Sequence, residues 1–211
     1  VTDTAASPLR FSSTDSGEEL ARAELYGLLA QLWLAAPDAA LLEQFKVAVT
    51  QATERGGHLE APWQALVAAM RKASAEAATE EYDALFGGVG KPEVFLYGSY
   101  YLSGFLNEKP LALLRADLER LGLARDEARG ETEDHVAYLF EVMRYLIAGD
   151  DVAVCNLEQQ RRFFRAHVQP WVAQLCDAVQ VHPRADTWRA VAELTRQFVA
   201  VETQAFDLLE T

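Results

Sequence analysis

Apolar residues recur at helical spacing along nearly the whole chain, and convincing strand alternation does not occur. Ala21, Leu25, Leu28, Leu29, Leu32 and Ala36 form one stripe. It predicts a helix that begins after Asp15-Ser16, places Glu18 and Glu19 where the helix dipole favours acids, and stops at Pro37. A second helix is expected from about Asp38 to Ala52, ending at Gly56-Gly57. Pro62 suits the first turn of a third, which runs to Phe86 with a break near Ser74. An aromatic segment, Phe95 to Phe105, then leads into helices over about Pro110–Leu121 and Thr132–Ala148. The latter carries Val136, Leu139, Phe140, Met143 and Ile147 on one face. A further pair spans roughly Val152–Val179, divided near Pro170. The last helix shows Trp188, Val191, Leu194, Phe198, Val201, Ala205 and Leu208 at a spacing that predicts burial. The expected fold is an all-α, single-domain helical bundle.

Composition sharpens this picture. At 211 residues, with half of them hydrophobic, the chain can bury a sizeable core. A formal net charge of −13 repels a phosphate backbone and would attract a basic peptide, so nucleic acid is not an expected partner. Cys155 and Cys176 form neither a disulfide framework nor a CxxC pair, which fits a reducing, cytoplasmic setting. No apolar stretch is long enough for stable membrane insertion. Residues 1–16 read as a flexible tail rather than a signal peptide. Gly87-Gly88-Val89-Gly90-Lys91-Pro92 is the clearest punctuation. It divides the domain (17–211) into an N-terminal half (17–86), a linker (87–94) and a C-terminal half (95–211).

Several motifs invite catalytic readings and fail on inspection. Gly90-Lys91 lacks the rest of a phosphate loop, since Leu85 stands at the first glycine position and Pro92 at the hydroxyl position. A di-iron bundle needs Glu three residues before His. His58, His135, His167 and His182 have Arg55, Thr132, Phe164 and Val179 there, so no metal or other cofactor is expected. There is no GxSxG, and neither cysteine has a telling histidine neighbour. Arg161-Arg162-Phe163-Phe164 reads as a solvated face plus core phenylalanines.

Two segments carry more. Glu131-Thr132-Glu133-Asp134-His135 reads either as an ordinary acidic helix start capped by Thr132, or as a negative pocket beside a histidine. Such a pocket could hold an arginine through charge-assisted hydrogen bonds or titrate near neutrality. Tyr97-Gly98-Ser99-Tyr100-Tyr101 offers either a core helix start or an aromatic peptide-binding surface.

Taken together, the segments resemble the TorD/DmsD family of molybdoenzyme-maturation chaperones. The resemblance spans about Glu81–Phe206 and, more loosely, the first helix. It rests on Glu81-Tyr82 with Leu85-Phe86, the glycine-rich linker, and Tyr97-Gly98-Ser99 leading to Gly122-Leu123. It rests also on Glu131 to His135 with Met143, and on His167-Val168-Gln169-Pro170-Trp171 followed by Trp188, Leu194 and Thr195. The resemblance implies a non-catalytic, cytoplasmic chaperone. Such a chaperone binds the twin-arginine signal peptide, or another part, of an apo-molybdoenzyme catalytic subunit and delays export until cofactor insertion. The implied client is a formate dehydrogenase or a DMSO/TMAO-reductase-type enzyme, and the implied state a monomer or a domain-swapped dimer. Tyr97, Ser99, Asp134 and His135 fall on the family's peptide-binding positions. Asp134 with Glu131 and Glu133 would attract the arginines, Tyr97 and Tyr101 would line the apolar contact, and His135 would order the loop or tune charge. Thr132 replaces the family's usual proline, and Phe95-Leu96 its proline pair. The rival reading is a small all-α enzyme or ligand-binding protein using an Asp134-His135 pocket.

Overall fold

A computed structural model describes residues 15–50, 57–87, 91–125 and 130–208. Residues 1–14 of the expected tail (1–16), the centre of the glycine linker (88–90) and the expected end of the second helix (51–56) lie outside the described residues, whereas Asp15 and Ser16, expected in the tail, are helical. The chain is all-helical, as expected: α1 (Asp15–Leu34), α2 (Ala39–Lys46), α3 (Glu60–Lys72), α4 (Ala75–Phe86), α5 (Gly98–Ser103), α6 (Lys109–Arg120), α7 (Val136–Ala148), α8 (Leu157–Phe163), α9 (Val172–Gln180) and α10 (Thr187–Leu208). A π-helical turn, Phe164–Val168, continues α8.

The ends of these helices follow from short polar side chains. Asp38 caps α2 by accepting the Leu41 N–H at 2.8 Å. Ser74 caps α4 through the Ala77 N–H at 3.2 Å, which is the break the sequence predicts. The second helix is shorter than its pattern suggests and stops at Lys46. There Arg71 of α3 donates to the Phe45, Lys46 and Ala48 carbonyls and satisfies the acceptors a helix end leaves open. α10 is capped across the fold: Glu81 of α4 accepts the N–H groups of Asp186, Thr187 and Trp188 at 2.7, 3.0 and 2.9 Å.

One core runs through both halves of the chain. α1 lies along α7, and α10 packs on α9 and α3. Tyr26 of α1 meets Phe140 and Phe198 edge-on, at 5.6 and 4.7 Å between ring centres. The stripe of α10 departs from its expected course in the last turns. Ala205 and Leu208 face solvent, whereas Glu202 and Phe206 are buried. The reason is an ion pair: Arg22 Nε and Nη2 fork onto the two oxygens of Glu202 at 2.9 and 2.8 Å, and the Tyr26 hydroxyl donates to the same carboxylate at 3.0 Å. Phe163 and Phe164 are buried and Arg162 is exposed, as the sequence suggests.

Candidate functional site

The acidic and aromatic segments meet. Tyr97 and His135 pair as an isolated antiparallel bridge, in which the Gly98 N–H donates to the Asp134 carbonyl and the Val136 N–H to the Leu96 carbonyl, both at 2.9 Å. Beyond this bridge the chains diverge into α5 and α7. α7 begins at Val136, not near Thr132, and His135 is its cap, with Nδ1 accepting the Ala137 N–H at 3.2 Å. The three acids therefore precede the helix instead of occupying its first turn. One of them, Asp134, serves a different helix. Asp134, 3% exposed, accepts the Ser99 N–H at 2.8 Å and so caps α5 from 35 residues downstream. Its other oxygen accepts the Thr132 hydroxyl at 2.6 Å.

Each remaining site residue has a definite place. Ser99 is fully buried, and its Oγ accepts the Asn107 N–H at 3.2 Å. His135 is buried against Tyr97, with 5.3 Å between ring centres. Burial lowers its pKa to about 4, although Glu131 and Asp134 pull the other way, so the imidazole is neutral at pH 7. The expectation that it titrates near neutrality is corrected by this burial. The half-buried Tyr97 hydroxyl donates to Glu131, and burial together with that bond holds the phenol well above its ordinary pKa. Burial raises the pKa of Glu133, but hydrogen bonds and the Arg115 charge outweigh it and keep the carboxyl below its usual range. The Arg115 fork spans 3.0 and 2.9 Å.

Tyr101 is part of the packing. It stacks on Trp171 at 5.3 Å, and its hydroxyl donates to the Phe95 carbonyl at 2.9 Å. Gly98 lies so close to the same indole that a Cβ there would sit 3.0 Å from Trp171 Nε1. Trp171 Nε1 donates to the His167 carbonyl at 2.7 Å, and His167 Nε2 sits 2.7 Å from Asp117 Oδ2 on α6. Thus the His167–Trp171 block buttresses α5 from behind while the acidic block caps it from below.

Exposed apolar residues lie just past α5, beside the acidic turn, and were missed by sequence reasoning. Gly104, in the left-handed conformation (φ 82°), ends the helix, and Asn107 (φ 60°) turns the chain back. Between them Phe105 is 70% exposed and Leu106 41%, with Leu102 of α5 beside them in sequence and equally open at 41%. Leu106 and Asn107 line a cavity of about 150 Å³ together with Tyr97, Glu131 and Thr132. The signal was available: three large apolar residues surround a Ser-Gly pair, where a loop ordinarily carries polar ones. On the other side of the acidic turn, Glu133 and Arg115 line a second cavity of about 410 Å³. Neither cavity is lined by Asp134 or His135. Among the described residues no cluster of His, Cys, Asp and Glu could hold a metal ion. No helix among them is long and apolar enough to cross a membrane.

No curated protein matches the chain. The nitrate reductase delta subunit family matches residues 55–177, more than half of the chain, from the segment before α3 to α9. The matched region contains both halves of the Tyr97–His135 bridge, the Asp134 cap and the His167–Trp171 buttress. The chain belongs to the nitrate reductase delta subunit family, a family of molybdoenzyme-maturation chaperones rather than catalysts.

Proposed function

We propose that this chain is a chaperone that binds the twin-arginine signal peptide of an apo-molybdoenzyme catalytic subunit at the acidic turn and the apolar loop after α5. One observation carries the reading: Glu131 and Leu106 line the same cavity, so a carboxylate and an exposed apolar patch share one small surface. A peptide with arginines followed by an apolar stretch matches both features at once. The net charge of −13 attracts such a peptide over distance. The roles of the site residues then divide. Glu131 and Glu133 meet the guanidinium groups, and Tyr97 with Phe105 and Leu106 forms the apolar contact. Asp134, Ser99, His135 and Tyr101 hold α5 and its loop in place. The client is a molybdoenzyme catalytic subunit, bound before its cofactor is in and before export from the cytoplasm.

The rival reading, acid–base chemistry at Asp134-His135, has less support, because both side chains are buried and engaged inside the fold. The test is titration of a synthetic peptide carrying Arg-Arg and a leucine-rich stretch, monitored by fluorescence anisotropy. Wild-type protein is expected to bind it. Glu131→Gln and Phe105→Ala should each weaken binding about five- to hundred-fold, the range of one apolar anchor or one interfacial charge-assisted bond. Equal binding of an Arg→Gln peptide would overturn the reading.

A further inference from the structure

Every carboxylate of the acidic turn has a partner. Asp134 is consumed inside the fold by the Ser99 N–H and the Thr132 hydroxyl. Glu131 accepts the Tyr97 hydroxyl. Glu133 is held by a cation, and in the bidentate fork an arginine from another chain would make: Arg115 Nε and Nη2 to its two oxygens at 3.0 and 2.9 Å. The two partners differ in burial. The Arg115 side chain is 51% exposed on α6, whereas that of Glu133 is 12% exposed. The arginine can swing into solvent while the carboxylate stays in place.

We propose that Arg115 is a built-in competitor that occupies Glu133 in the free protein and is displaced by a peptide arginine when a client docks. The proposal rests on the peptide-binding reading and adds a regulatory contact to it. Its consequence is selectivity. Exchanging one guanidinium for another on Glu133 changes little free energy, so an arginine docked there is weakly rewarded, whereas one at Glu131, whose partner is the Tyr97 hydroxyl, displaces no cation. The net gain then comes from the arginine at Glu131 and from the apolar stretch beyond the arginines, which lies on Phe105 and Leu106. A half-exposed ion pair is weak, so it opens readily and taxes peptide affinity by the fraction of time it is closed.

The experiment is the same peptide titration at low salt, with Arg115→Ala, Glu133→Gln, Arg115→Ala/Glu133→Gln and Lys109→Ala. Lys109→Ala removes one positive charge from the same helix without touching Glu133. Arg115→Ala is expected to tighten binding about two- to five-fold. Relative to Glu133→Gln alone, the double variant should show no gain, and Lys109→Ala should gain less than Arg115→Ala. A peptide with Arg-Arg but no apolar stretch should show the same relative gain in Arg115→Ala. Wild-type binding with unchanged or weaker affinity in Arg115→Ala, or an equal gain in Lys109→Ala, overturns the competitor and leaves the peptide reading standing. No binding by wild type or by Arg115→Ala overturns both. Circular dichroism establishes that each variant is folded before it is titrated.

Discussion

Replacing Asp134 separates a residue that builds the site from one that touches the client. Its carboxylate is buried and accepts two hydrogen bonds, from the Ser99 N–H at 2.8 Å and the Thr132 hydroxyl at 2.6 Å. Asp134→Ala leaves the buried Ser99 N–H without an acceptor, at a cost of about 1–3 kcal/mol, and removes the α5 cap. Together about 3 kcal/mol is expected, allowing for overlap between the two effects. Asp134→Asn keeps an oxygen for Ser99, and its amide can donate to the Thr132 hydroxyl, so only the charge assistance is lost, about 1 kcal/mol. For a domain of this size, 1 kcal/mol moves Tm by about 2–4 °C. Asp134→Ala should therefore lower Tm by roughly 6–12 °C and Asp134→Asn by roughly 2–4 °C. Urea unfolding gives the free energies directly, and peptide titration of the Asn variant should stay within about three-fold of wild type, less than one lost charge-assisted bond. Unchanged stability in Asp134→Ala, combined with lost peptide binding in Asp134→Asn, would refute the argument and make Asp134 a contact residue.

Two further outcomes come from buried ionisable groups. His135 has a pKa near 4 in the folded chain, below the ordinary value of 6.5. Below pH 6.5 the unfolded chain takes up this proton first, so the stability it represents is present above 6.5 and is lost as pH falls toward 4. His135→Asn retains an acceptor for the Ala137 N–H but does not titrate, and urea unfolding from pH 7 to pH 4 should show it losing about 2–3 kcal/mol less than wild type; parallel curves would refute this. Between α1 and α10, Glu202→Gln should cost about 2–4 kcal/mol by leaving Arg22 poorly paired, whereas Arg22→Met/Glu202→Met should stay much closer to wild type. Chemical denaturation of wild type and the two variants decides it, and a double variant at least as unstable as Glu202→Gln would sink the claim.

The helical fold was legible because most helices are longer than two turns and show one continuous apolar face. The Ser74 break and the Pro37 stop are local chemistry, written within four residues. What escaped the pattern depends on partners distant in sequence. Thr132 looked like a cap because hydroxyl and acids stood before an apolar run, yet the carboxylate of Asp134 serves a helix that starts 36 residues earlier. α10 seemed to bury Leu208 because nothing local marks Glu202 as the residue that turns inward to meet Arg22. Tyr101 stayed open between a core and a peptide-facing reading because its stacking partner, Trp171, is 70 residues away. The π-helical turn at Phe164–Val168 has no simple periodic signature, and Pro170 marked only the break beyond it. The three family blocks were legible as separate motifs, and only the fold places them on both sides of one short helix.

That short helix has a consequence in time. Six residues are too few to hold helical structure alone in water. α5 is secured by an acceptor at Asp134 and an aromatic wall at Trp171. While a ribosome is still making the second half of the chain, the Tyr97–Leu106 segment has neither support and presents no organised surface. The organised form of this segment thus arrives only with the last third of the polypeptide, once Trp171 has been made.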